Sequence, residues 1–270
     1  VIGASLAAVL LAAAGLSTHQ PTAQAQMAAQ TFVIMAGASG PANMEILAFA
    51  PAELKVHRGD TVTWFINGFH NVRLGTAPIE MIIAPVVDGQ PLPQINPEVA
   101  FPTIASGSAY TGGVVGSGLP VDPNAEPVFS LIMDVEPGTY AYFCDIHPGM
   151  VGAITVVADD VAIPSPMEAL ATANAELGQS VGMGMGAMEE LSSAPPMMES
   201  GVVQVRAGGD GGRATIQQYF PFATVIHAGE SVTWYIPVDA IAEPHTVSWP
   251  PTYGQEVSPI PQDQGPPILA

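Results

Sequence analysis

Apolar and polar residues alternate along this chain in short runs, and Gly, Pro and Asn separate the runs. Thr31 to Met35 and Met44 to Phe49 are apolar runs of strand length. Leu54-Lys55-Val56-His57-Arg58-Gly59-Asp60-Thr61-Val62-Thr63-Trp64-Phe65-Ile66 alternates, turns at Arg58-Gly59-Asp60 and alternates again. Phe129 to Met133, Gly138 to Cys144 and Ala153 to Val157 supply the later strands, with Pro137-Gly138 at a turn between two of them. Short strands bounded in this way predict an all-β sandwich.

Two stretches break the alternation. Ala77 to Pro127 is rich in Pro and Gly with little periodicity, and it is expected to wrap the sandwich and to contain some short strands. Pro166 to Leu177 holds good helix formers, with Pro at a first helical position and Gly178 placed to end the helix. Gly182-Met183-Gly184-Met185-Gly186 and Pro195-Pro196-Met197-Met198 follow. The whole of 159–200 reads as an interdomain linker with one helix.

Beyond the linker the strand pattern returns. Residues 32–66 align without a gap on 202–236 at an offset of 170, with Pro51/Pro221, His57/His227, Gly59/Gly229, Val62/Val232, Trp64/Trp234 and Ile66/Ile236 identical. His70-Asn71-Val72 then matches His245-Thr246-Val247. In this register about 62 residues of the first copy have no counterpart, so the second copy reads as truncated. The expected organisation is a signal-like segment at 1–25, a first domain at 30–158, the linker at 159–200 and a partial second sandwich at 201–270.

Charge narrows the function. Five Lys and Arg stand against 24 Asp and Glu, a formal net charge of −19, which argues against nucleic-acid binding. Val1 to Leu16 is a short Ala- and Leu-rich apolar run followed by Ala23-Gln24-Ala25, an arrangement like the core and cleavage site of a secretory signal. At this length it is short for a membrane span, so the mature chain is expected outside the cytoplasm, secreted, periplasmic or at the cell surface.

The chemistry is concentrated in Tyr142-Phe143-Cys144-Asp145-Ile146-His147-Pro148-Gly149-Met150. Cys144 is the sole cysteine, a histidine follows three residues later and a methionine three after that. Thiolate, imidazole and thioether together are a donor set that copper selects, and His₂Cys with a weak axial Met is the blue-copper arrangement. His70 is placed to supply the second imidazole. A small buried hydrophobe is the plainer reading of Cys144, but the His147 and Met150 that follow it favour a ligand. His57 and His227 hold equivalent positions before a turn, which suggests a structural role. The Met-rich linker reads as flexible chain, with Cu(I) binding through thioethers as its alternative.

Gly59-Asp60-Thr61-Val62-Thr63-Trp64, then His70-Asn71-Val72, then Gly138-Thr139-Tyr140 and Cys144-x-x-His147-x-x-Met150-x-Gly152 resemble a cupredoxin of the plastocyanin and amicyanin type. The likeness covers 32–157, and 202–247 more weakly. The 73 residues between His70 and Cys144 are more than a minimal plastocyanin needs. The resemblance implies a Greek-key β-sandwich with one type 1 copper at one end, held by His70, Cys144, His147 and Met150. It also implies that the edge of His147 reaches the surface, where a redox partner docks transiently. The function expected is single-electron transport. Two alternatives remain: a copper-binding or delivery module without a redox partner, and a fragment of a two-cupredoxin copper oxidoreductase.

Overall fold

The computed structural model describes residues 28–87, 89–91, 93–120 and 127–237, and beyond them 245, 247–248, 259–260 and 268–269. The signal-like segment at 1–25 lies outside the described residues. The alternating runs form strands close to where the pattern puts them: β1 (Thr31–Gly40), β2 (Met44–Ala50), β3 (Glu53–His57) and β4 (Thr61–Ile66). After β5 (Arg73–Leu74) the Pro- and Gly-rich stretch makes only short pieces. These are β6 (Ile82–Ile83), β7 (Val86–Val87), β8 (Gln90–Pro91), β9 (Gln94–Ile95), helix α1 (Pro97–Ala100), β10 (Ser108–Tyr110) and β11 (Val115–Gly116). β12 (Val128–Met133), β13 (Gly138–Phe143) and β14 (Val151–Val157) complete the first half.

Two sheets face each other. One runs β10-β12-β4-β1-β2 and the other β11-β5-β13-β14-β3. β1 is parallel to β4 and β3 to β14, because the chain changes sheets between β2 and β3 and again between β4 and β5. Side chains alternate across each strand, so Phe32, Ile34, Val62, Trp64, Phe129 and Leu131 of one sheet point at Leu54, Val56, Tyr142, Ile154 and Val156 of the other. Tyr142 is central: its ring centroid lies 4.7 Å from Phe49 and 5.4 Å from Trp64, both edge-on. Cys144 and Met150 belong to this same buried cluster.

The turn before β4 is closed by Asp60, whose carboxylate accepts from the backbone N–H of Gln30 (2.7 Å) and of His57 (2.8 Å). The His57 ring lies 2.9 Å from the Val161 carbonyl through Nε2. Glu230 repeats the arrangement, accepting from the His227 N–H at 2.6 Å.

The helix departs from its sequence-based end. α2 (Pro166–Ser193) starts at the expected proline, with Ser165 and Glu168 forming a reciprocal cap, but runs on through Gly178, Gly182, Gly184 and Gly186. Each internal glycine costs about 1 kcal/mol of helix propensity relative to Ala. Packing overrides that cost. Ala169, Ala173, Ser180 and Gly184 form a seam of small buried residues along one side of the helix. A Cβ on Gly184 would fall 2.4 Å from Met44 Sδ and 2.6 Å from the Ala214 Cβ, so the close approach of helix to sheet requires glycine there. The segment expected to be a flexible linker is therefore mostly a helix laid on the sheet. Among the described residues, no helix is long and apolar enough to cross a membrane.

After β15 (Met197–Glu199), strands β16 (Val202–Gly211), β17 (Ala214–Phe220) and β18 (Val232–Tyr235) pair with one another as β1, β2 and β4 do. In β1 and β16 the pairing register differs by one residue from the gapless alignment. Phe32 stands opposite Val62 and Val203 opposite Val232, and the bulges fall at Gly37 and Gly208. The turn after β1, Pro41-Ala42-Asn43, is one residue longer than the turn after β16, Gly212-Arg213. β17 pairs antiparallel with β2, so the first sheet continues unbroken into the second half. β18 is more open than β4: Trp234 is 41% exposed, whereas Trp64 is fully buried.

Candidate metal centre

The site sits where two loops meet at one end of the sandwich. His70 lies between β4 and β5. Cys144 follows β13 directly, and Met150 leads into β14. The loop from Cys144 to Met150 is tight: the Cys144 N–H donates to the Met150 carbonyl (3.0 Å) and the Met150 N–H to the His147 carbonyl (3.1 Å). Gly149, at φ +83°, takes the left-handed turn that this closure needs.

The four residues nominated from sequence come together. His70 Nδ1 is 3.9 Å from Cys144 Sγ, His147 Nδ1 is 3.8 Å from the same sulfur, and the two Nδ1 atoms are 2.9 Å apart. All three residues are buried, and Met150 is buried on the same loop. A point in the plane of a triangle with these edges lies about 2.1 Å from each corner, within the roughly 2.0–2.3 Å of metal bonds to imidazole nitrogen and thiolate sulfur. Two ring nitrogens and a sulfur aimed at one another in a buried pocket fit a metal better than a hydrogen-bonded core. Thiolate with two imidazoles and a nearby thioether selects copper. Gly37 makes room for the arrangement, since a Cβ there would lie 2.3 Å from His70 Nε2.

Burial alone would push the Cys144 thiol up, but hydrogen bonds from the His147 and His70 rings hold it down, at about 6. His70 is pushed down by burial and pulled up more strongly by Cys144 and Glu45, so its net shift is upward. In the metal-free protein the thiolate absorbance should rise with a midpoint of about 6 and be lost below it, as the sulfur takes a proton. A midpoint near the ordinary thiol value of about 8.5 contradicts this.

A second set of residues, which sequence reading did not single out, fixes the two loops to each other. Asn71 Nδ2 donates to the Asp145 carboxylate (2.7 Å), and the Asp145 N–H donates to Asn71 Oδ1 (2.8 Å). Arg73 Nε donates to the same carboxylate at 2.7 and 2.9 Å, the Ile79 N–H adds a bond at 3.0 Å, and Arg73 Nη2 reaches the Glu98 carbonyl at 2.6 Å. Asn71 follows His70 and Asp145 follows Cys144, so this network sets the spacing of the donors themselves. The signal available in sequence was a polar residue directly after each of two candidate ligands.

His147 departs from expectation. Its edge was to reach the surface, yet the residue is 2% exposed. Its ring packs edge-on against His70, with centroids 4.5 Å apart, and Pro148 and Gly149 are the exposed part of the loop. The β16–β17 turn of the second half lies against this loop, where Arg213 Nη1 donates to the Gly149 carbonyl at 3.0 Å.

No known family model matches the chain. Among solved structures it is similar to a reduced Cu(I) form of an amicyanin variant, at 23% identity over 50% of this chain and 88% of that one, with a TM-score of 0.23. It is similar to the pseudoazurin from Sinorhizobium meliloti at 21% identity, over 55% of this chain and 96% of that one, TM-score 0.24. A mutant plastocyanin of fern aligns at 19% identity, over 46% of this chain and 99% of that one, TM-score 0.25. The two facing sheets make a β-sandwich, and His70, Cys144 and His147, with Met150 nearby, are a donor set that fits one type 1 copper ion.

Proposed function

We propose that this chain is an exported one-electron carrier whose His70, Cys144, His147 and Met150 hold a single type 1 copper. The convergence of His70 Nδ1, Cys144 Sγ and His147 Nδ1 in a buried triangle carries this reading. Bound there, copper supplies a one-electron Cu(II)/Cu(I) couple. The chain's own part is to keep the donors still. The Asn71–Asp145–Arg73 network locks both ligand-bearing loops, so gaining or losing an electron finds the same donor positions. Burial excludes water that would otherwise compete for the ligands. Met150, as the weak axial donor, tunes the couple without creating the site. A transient redox partner would dock over a small interface around Pro148 and Gly149, the exposed residues next to His147. Export accords with the signal-like character of 1–25.

Copper loading followed by mild chelation and metal analysis tests this directly. About one tightly held copper per chain is expected, with thiolate character in its spectrum, because Cys144 is the sole cysteine. Two equivalent thiolate-bound coppers contradict the reading. In the same series Met150→Leu keeps similar volume, so the fold should lose less than about 1.5 kcal/mol. Its colour should persist while its reduction potential moves; an unmoved potential removes the axial role.

A further inference from the structure

The outer nitrogen of His70 faces a carboxylate from a different strand. Glu45, on β2, places Oε1 3.2 Å from His70 Nε2, at ion-pair distance though off the line of a straight N–H···O bond. His70 is fully buried and Glu45 about one-fifth exposed, so the contact is largely shielded from water. The other oxygen of Glu45 is also engaged: Gln217 Nε2, on β17 of the second half, donates to Oε2 at 3.2 Å. β2 and β17 are paired strands with Glu45 opposite Thr215, so Gln217 is two residues further along and on the same face. Gly68 leaves the space for the carboxylate, since a Cβ there would fall 2.4 Å from Glu45 Oε1. Gly37 leaves the space for the imidazole, since a Cβ there would fall 2.3 Å from His70 Nε2.

We infer that Gln217 and Glu45 form a positioning chain through which the second half of the molecule sets the orientation and electrostatic surroundings of His70. The inference rests on the copper reading above and deepens it. Outer partners of metal-bound histidines fix the ring and raise its basicity. Here the partner is a full carboxylate held in place by a residue more than 140 positions away from His70 in sequence. Glu45 and Gln217 are positioning residues, acting on the metal through His70. The second half also reaches the ligand loop through the Arg213 bond to the Gly149 carbonyl. Gln218, the next residue of β17, donates instead to the Ala42 carbonyl at 2.6 Å and provides an internal control.

The test is a redox titration of the copper-loaded wild type, Glu45→Gln, Gln217→Ala and Gln218→Ala. Removing the negative charge beside His70 favours Cu(I), so Glu45→Gln should raise the reduction potential, with a roughly tenfold higher Cu(I):Cu(II) ratio at a fixed applied potential. Gln217→Ala should move it in the same direction by less, because Glu45 is then free to turn to solvent. Gln218→Ala should leave it in place. A wild-type potential in Glu45→Gln overturns the inference, as does an equal shift in Gln217→Ala and Gln218→Ala. Nitrogen-15 spectra of the histidine rings in the metal-free protein add a readout independent of copper. The His70 ring signals should move in Glu45→Gln and Gln217→Ala and stay in Gln218→Ala. If the wild type shows no visible Cu(II) band, the copper reading fails, while these ring signals still decide whether Glu45 positions His70.

Discussion

Cys144→Ala should abolish the intense visible band that a Cu(II)–thiolate bond gives and leave at most a colourless, histidine-bound metal. Removing Cys144 Sγ deletes one corner of the donor triangle and leaves His70 and His147 with Nδ1 atoms 2.9 Å apart and no third strong donor. Copper affinity should fall by more than the roughly 10–100-fold that loss of an outer partner costs a metal site. The sandwich itself should survive, because the core around Tyr142, Trp64 and Phe49 does not depend on the sulfur. Visible absorption and a far-ultraviolet spectrum on the same sample separate these effects. A persisting intense band in Cys144→Ala refutes the blue-copper assignment.

Asp145→Ala should be among the most destabilising single changes available near the site. The Arg73–Asp145 pair is almost completely buried, with both side chains at or below 1% exposure. Without Asp145, the Arg73 charge keeps only the Glu98 carbonyl, while Asn71 Nδ2 and the Ile79 N–H lose an acceptor. Breaking a buried pair in this way costs about 3–5 kcal/mol. That is a large part of the roughly 5–15 kcal/mol that holds a typical domain together. Chemical denaturation of the metal-free protein measures the loss without interference from copper. Asp145→Asn keeps an acceptor oxygen and should lose less. A change below about 1 kcal/mol in Asp145→Ala would show that the network does not hold the loops.

The four candidate ligands were legible because three of them lie in seven consecutive residues and their chemistry is distinctive whatever surrounds it. The strands were legible because alternation is a local property, and β1 to β4 and β12 to β14 fall within a few residues of the predicted runs. Asn71, Arg73 and Asp145 escaped notice because their partners are more than 70 residues apart, and a polar residue beside a ligand admits many readings. Gly178 misled for the opposite reason: its local meaning is to stop a helix, and only the spacing of Ala169, Ala173, Ser180 and Gly184 hints at a buried seam continuing past it. The burial of His147 depends on how the chain closes around the ligand loop, and no local pattern encodes that.

The pairing of β2 with β17 has the form of a dimer contact made within one chain. Met44 meets Ile216 and Ile46 meets Ala214; since Met44 aligns with Ala214 and Ile46 with Ile216 at the offset of 170, the two contacts are reciprocal, as a two-fold axis would arrange them. Between separate molecules such an association weakens on dilution. Covalent tethering replaces concentration in solution by an effective concentration near the millimolar range for short linkers, so the contact stays closed in however dilute a compartment the protein works. The same closure removes the exposed edge of β2, Met44–Ala50, as a template on which strands of neighbouring molecules could stack. A chain cut before β15 would expose that edge again, and its solubility would become a function of its own concentration.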